Sequence, residues 1–291
     1  MFSSLVQVFI RRKHPKTSTS NSRTLGTNLQ ALIDSLDTPA LPNAEINLVL
    51  SNRKAAYGLT RAAQANPPIP TAYLALQPYL KQNPDKTRED YDAEIARIVL
   101  HAKPDIVVLA GWMHILSDAF LDILNGKRKP IGGDEPLVTI PIPVINLHPA
   151  LPGQFDGANA IERAHEAFKK GEITKSGAMI HRVVRDVDKG EPVIVQEVVF
   201  IEGESLEAYE ARLHDIEHEI IVQATKKVLD EGKTVSVSIF FGDCFGWRFN
   251  RFLGLLTCCN IPLAAYSMFR AEAQNLSGLA SSLHNYSAWT N

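Results

Sequence analysis

Three cysteines, Cys244, Cys258 and Cys259, are all that 291 residues contain, and none stands in a CxxC spacing. That excludes a zinc ribbon and a disulfide framework, and it fits a reducing compartment. Acidic residues are missing from positions 1–33, where Arg11, Arg12, Lys13, Lys16 and Arg23 stand among Ser and Thr. Such a stretch reads as a basic disordered tail or as a mitochondrial transit segment. A basic excess is also missing. The formal net charge is −2, so nothing argues for a nucleic-acid partner. No long apolar run is present either. The best candidate, RFLGLLTCCNIPLAAY, is broken by Asn260 and Pro262 and falls short of the ~20 residues that a membrane span needs.

What is present is an alternation of two periodicities over residues 26–240. TNLQALIDSL, RKAAYGLTRAAQA, TREDYDAEIARIVLHA and GANAIERAHEAFKKG carry apolar residues at helical spacing, and a longer amphipathic helix follows from about Ser205 to Glu231. Thr87 suits an N-cap and Gly171 a helix stop. EINLVLSN, PPIPTAYLAL, PDIVVLAG, PIPVINL, SGAMIHRVV, PVIVQEVVFI and VSVSIF read as strands. PDIVVLAG and PIPVINL are apolar throughout, as strands buried on both faces are. The expected fold is α/β, a mainly parallel Rossmann-like sheet with helices on both faces. The expected division is an atypical basic segment over 1–25, a domain over 26–241 and an appendage over 242–291.

In such sheets ligands bind at the carboxyl ends of strands. That rule brings the exits of PDIVVLAG and VINLHP and the RDVDKGE loop to one rim. Asn146 and His148 are two apart on a strand and face the same way. An amide donor beside an imidazole can hold a developing oxyanion, and the ring can pass a proton. A carboxylate such as Asp188 would stabilise the imidazolium. Taken as two residues alone, the pair equally suits a loop cap and a satisfied core histidine. AGWMHILS, which opens Trp112 to Leu116 at a strand exit, suits a flat aromatic ligand or a packed turn. The LGTNLQALID helix start would attract phosphate or be an ordinary cap.

Together, INLHPALPGQFDGANAI, DVDKGEPVIVQ, AGWMHILS, GTNLQALID, KTREDYDAE and DIEHEIIV resemble the phosphoribosylglycinamide formyltransferase family, in order, across residues 26–240. The resemblance implies transfer of a formyl group from the co-substrate 10-formyltetrahydrofolate to the amine of glycinamide ribonucleotide in purine synthesis. It implies small-molecule partners only, no metal, no membrane and a cytoplasmic setting. It gives Asn146, His148 and Asp188 as the catalytic trio. Arg88, Met113, His114, Ile115, Leu116, Val184, Arg185, Asp186 and Val187 would serve the folate side. Gly26, Thr27, Asn28, His214, Asp215, Ile216 and Glu217 would serve the ribotide side. The family pattern often has Arg where this chain has His114.

The sequence departs from that pattern at its start. An apolar strand should run straight into a G-x-G-[ST]-N loop, yet NSRTL precedes Gly26 and Thr24 replaces the first glycine. Either LVQVFI (residues 5–10) fills the first strand's slot through an unusually long loop, or the segment lies outside the family and the phosphate loop is altered. A formyltetrahydrofolate hydrolase and a non-catalytic folate-binding protein are the alternative functions.

Overall fold

The computed structural model describes residues 6–13, 28–130 and 137–244, with the backbone alone from 233 onward. The chain divides into two compact units, Met1–Val237 and Ser238–Asn291. Of the second, only the helical residues up to Cys244 are described.

The first unit is built on a seven-stranded sheet. Its strands are β1 (Val6–Arg12), β2 (Ala44–Ser51), β3 (Thr71–Tyr73), β4 (Ile106–Ala110), β5 (Val144–His148), β6 (Lys175–Arg182) and β7 (Pro192–Val199), in the order β3-β2-β1-β4-β5-β6-β7. The helices are α1 (Asn28–Ser35), α2 (Tyr57–Gln64), α3 (Leu76–Gln82), α4 (Arg88–Ala102), α5 (Asp118–Leu124), α6 (Ala160–Lys169) and α7 (Leu206–Cys244).

The pairings β2–β3 and β4–β5 are parallel, and those of β1 with β2 and β4, and of β6 with β5 and β7, are antiparallel. Five strands thus run one way, and β1 and β6 run against them. Alternation along each strand feeds two cores. Val6, Val8, Ile10, Val108 and Ile145 pack with Leu29, Leu32, Ala164, Leu213 and Ile221 on one face. Phe9, Leu50, Val107 and Leu109 pack with Tyr91, Ile95, Val99, Phe120 and Ile123 on the other. Helices therefore cover both faces, and the fold is α/β as its pattern requires.

Helix α4 starts where its sequence says it should. Thr87 accepts from the Asp90 amide (3.3 Å), and the Asp90 carboxylate accepts from the Thr87 amide (2.9 Å), a reciprocal capping box.

Two expectations need correction. The N-terminal segment is not wholly a disordered tail: Val6, Val8, Phe9 and Ile10 are fully buried in β1, an interior strand between β2 and β4. The slot is filled as the first arrangement foresaw, but in the antiparallel sense. Because β1 is reversed, Val6 pairs with Ala110 at the rim where β4 ends, and Arg12 lies at the opposite rim. The first turns of α1 and α2 lie near Val6, since a Cβ built on Gly58 would meet Val6 Cγ1 at 2.5 Å and Leu29 Cδ2 at 3.3 Å. The second correction concerns VSVSIF, which is helical and continues α7. β-branched alternation favours a strand only where a partner strand is within reach. No proline separates this stretch from the helix before it, so the helix propagates. The expected appendage, RFLGLLTCCNIPLAAY included, lies outside the described residues apart from its first residues up to Cys244.

Candidate active site

Strand β4 ends at Ala110, and Gly111 after it takes a φ of +74°, a turn that glycine permits. Residues 112–116 then line a cleft of about 330 Å³ together with the end of β5, residues 157–160, His181 and residues 183–188. The three segments expected on one rim do meet there. Asn146 and His148 both line the cleft, as their spacing on β5 requires.

The Asp188 carboxylate ties the site together. Its Oδ2 lies 3.5 Å from His148 Nδ1 and accepts from the Gly157 amide at 2.9 Å, and its Oδ1 lies 3.3 Å from His181 Nε2. Asp188 adopts a left-handed backbone, φ +56°, which aspartate tolerates better than most residues. Burial by itself pushes its pKa upward. The hydrogen bond from His181, that from Gly157 and the fields of His148 and His181 outweigh burial and hold the carboxyl below the ordinary aspartate value. The anion is therefore the resting form at neutral pH, and it faces two rings that are each 3% exposed.

His148 Nε2 lies 3.3 Å from the Gln154 carbonyl. The loop HPALPGQFDG thus folds back over its own histidine. It is braced from below by Arg163, which donates to the Phe155 and Asp156 carbonyls, and by the ion pair of Asp156 with Lys189.

His181 went unnoticed in the sequence. Strand β6 runs antiparallel to β5 and sets His181 opposite Asn146, with Asn146 Nδ2 3.3 Å from His181 Nε2. Its Nδ1 donates to the Arg182 carbonyl at 2.9 Å. A lone histidine inside the apolar run SGAMIHRVV was the available signal, but the pairing that gives it meaning is non-local.

The expected folate-side residues Met113, His114, Ile115, Leu116, Val184, Arg185, Asp186 and Val187 all line the same cleft. Met113 (63% exposed) and Ile115 (57%) present bare apolar side chains there. Arg88 does not line it. Arg88 instead donates to the Ile115 carbonyl at 2.6 Å and holds the wall from outside. Arg185 is engaged with Asp118.

On the expected ribotide side, Gly26 and Thr27 lie outside the described residues, and Asn28 is the first residue of α1. His214, Asp215, Ile216 and Glu217 sit on α7 and do not line the cleft. His214 Nδ1 lies 2.9 Å from Glu217 Oε2. That hydrogen bond raises the His214 value above the usual imidazole range, against the opposing effect of burial.

A larger cavity, about 550 Å³, opens at the far rim between Arg12, Pro143, Arg182 and Glu231. Arg182 is paired there with Glu231. Among the described residues no group of three His, Cys, Asp or Glu side chains is arranged to hold a metal ion, and no helix is long and apolar enough to cross a membrane.

A buried carboxylate flanked by two imidazole rings and an amide, at the foot of an apolar cleft, is equipped to polarise a carbonyl and move a proton. The formyl transferase pattern matches residues 22–128 and 133–225 of the chain. The chain is 48% identical over 210 residues to the phosphoribosylglycinamide formyltransferase of Schizosaccharomyces pombe, covering 72% of this chain and 94% of that one. It is 43% identical to the protein of that name from Saccharomyces cerevisiae, covering 71% and 94%. Among solved structures, phosphoribosylglycinamide formyltransferase from Streptococcus pneumoniae superposes with a TM-score of 0.55 at 25% identity, covering 70% of this chain and 93% of that one. The Coxiella burnetii protein of that name gives 0.51 at 31% identity, covering 68% and 81%. The chain belongs to the formyl transferase family, in the company of its phosphoribosylglycinamide formyltransferases. The matched region begins at residue 22, so β1, an interior strand, lies outside it.

Proposed function

We propose that this protein transfers the formyl group of 10-formyltetrahydrofolate to the amine of glycinamide ribonucleotide, and that Asn146, His148 and Asp188 carry the reaction. The observation that supports the assignment of roles is the convergence of one buried carboxylate on His148 Nδ1 (3.5 Å) beside Asn146 at the foot of an apolar cleft.

The glycinamide amine attacks the formyl carbon, and the carbonyl oxygen takes the developing negative charge. Imidazolium His148, its Nε2 exchanging the Gln154 carbonyl for the substrate, and the Asn146 amide donate to that oxygen, which charge-assisted hydrogen bonds stabilise strongly. Asp188, anionic at neutral pH, stabilises the imidazolium and orients its ring. The proton lost by the attacking amine ends on the folate nitrogen that leaves, relayed through a water beside Asp188. On this reading the polarising charge is the protein's own, and a chelator leaves the rate unchanged. Met113, Ile115, Val184 and Val187 sandwich the flat pterin, and the backbone of residues 184–188 meets its polar edge. The ribotide is held by residues 26–28 and by the His214–Glu217 pair. The setting is the cytoplasm, which imaging of the tagged full chain tests.

The decisive experiment follows formyl transfer from 10-formyltetrahydrofolate to glycinamide ribonucleotide, with formate release measured in parallel. Isothermal titrations with each ligand separately complete it. Transfer with both ligands bound is expected. Formate without formylated ribotide would make the protein a hydrolase. Folate binding without ribotide binding would make it non-catalytic.

A further inference from the structure

Asp92 is a carboxylate with 0% exposure on the second turn of α4, outside the trio. A charge is not kept in such a place for packing, because desolvation is costly and an apolar side chain would fill the space as well. Its two oxygens both serve one segment. Oδ1 lies 2.8 Å from His114 Nε2, and Oδ2 accepts from the Ser117 amide at 2.9 Å. One turn earlier on the same helix face, Arg88 grips the Ile115 carbonyl.

The surroundings hold His114 in that position. Its ring packs edge-on against Tyr91 (centroids 5.5 Å) and Trp112 (6.1 Å). Tyr91 is fully buried and donates its hydroxyl to the Leu74 carbonyl at 2.9 Å. Burial, and next the charge of Asp92, push the Tyr91 phenol upward, so it remains a donor. In the irregular segment 111–117, His114 turns toward α4, and its neighbours Met113 and Ile115 stand exposed on the cleft.

We propose that Asp92 is a positioning residue for the folate side of the cleft. By fastening His114 and Ser117, it fixes the segment that presents Met113 and Ile115 to the flat ligand. This rests on the reading of the cleft as the formylfolate site. Asp92 touches neither substrate, so it acts through the wall it holds.

The test replaces Asp92 with Leu and with Asn, and His114 with Leu, in the full chain. Steady-state kinetics are measured for each substrate, and folic acid binding by calorimetry. Asp92→Leu is expected to raise KM for 10-formyltetrahydrofolate about tenfold or more, with kcat and the KM for glycinamide ribonucleotide within about threefold of wild type. Asp92→Asn keeps an acceptor for the Ser117 amide and is expected to recover most of the loss. His114→Leu should reproduce the Asp92→Leu effect, and the double variant should fall short of the product of the two. A fall in kcat with both KM values unchanged, or a parallel rise in both, overturns the proposal and leaves Asp92 a stabilising residue only. If Asp92→Leu does not fold, His114→Leu and Asp92→Asn decide by the same split. If the wild type transfers no formyl group, the functional reading fails on its own, and the calorimetric folate affinities still judge Asp92.

Discussion

The rim at β5 and β6 and the interior strand β1 bury polar groups on different terms. At the rim, every oxygen of the Asp188 carboxylate has a partner, and His148 and His181, both nearly inaccessible, each face a carboxylate on one side and a carbonyl on the other. In β1, Gln7 is fully buried and neither its amide nitrogen nor its amide oxygen has a hydrogen-bond partner. The rim lies within the family match and β1 outside it. Polar burial with partners builds a device, whereas polar burial without them is a cost that apolar neighbours must offset. β1 holds its slot through Val6, Val8, Phe9 and Ile10, and any strand with that alternation and the right length could occupy it.

The contrast can be broken most sharply at the rim. His148→Ala and Asp188→Asn are each expected to lower the formyl-transfer rate about 10²–10⁴-fold, in a protein that still folds. Near-normal turnover in either would remove the trio. Next in size is Gly190→Ala. Its new methyl would stand 1.6 Å from the Arg182 carbonyl oxygen and 3.3 Å from His181 Nδ1. Backbone must move, so a loss of about 3 kcal/mol in chemical denaturation is expected, with lower activity. An unchanged denaturation midpoint would show that the β6–β7 connection is looser than its geometry.

Smaller and opposite in sign, Gln7→Leu is expected to raise stability by about 1–2 kcal/mol without altering turnover. Destabilisation would mean that the glutamine is partnered after all, and that the two regions are alike. The smallest effect is in pH. The Asp188 carboxyl is held below its ordinary value in the fold, so its contribution to stability is full above the unfolded value of about 3.9 and is lost as pH falls through the lower folded one. The stability gap between wild type and Asp188→Asn should therefore hold steady from neutral pH to about 5 and narrow below about 4. A gap that widens toward acid would contradict the sign.

Much of the rim was legible because its signals are local. Asn146 and His148 share a face by strand period, Thr87 marks the start of α4 as its N-cap, and Gly111 follows a continuous apolar strand. What escaped is long-range. His181 gains its role only from antiparallel pairing with Asn146, and Asp92 only from a segment more than twenty residues away. The sense of β1 was equally hidden, since an alternating strand buries the same side chains in either direction. VSVSIF carried a strand's composition, but composition alone does not supply a neighbouring edge.

The left-handed turn at Asp188 narrows what this position accepts. Lengthening the acid by one methylene would put glutamate, a poor resident of that backbone region, where aspartate sits easily, and would also swing the carboxylate off both rings. Asparagine alone among close substitutes keeps the turn while erasing the charge. Experiments that seek to separate geometry from electrostatics at this centre have in it their one clean instrument, and a drifting lineage has few neutral exits from aspartate.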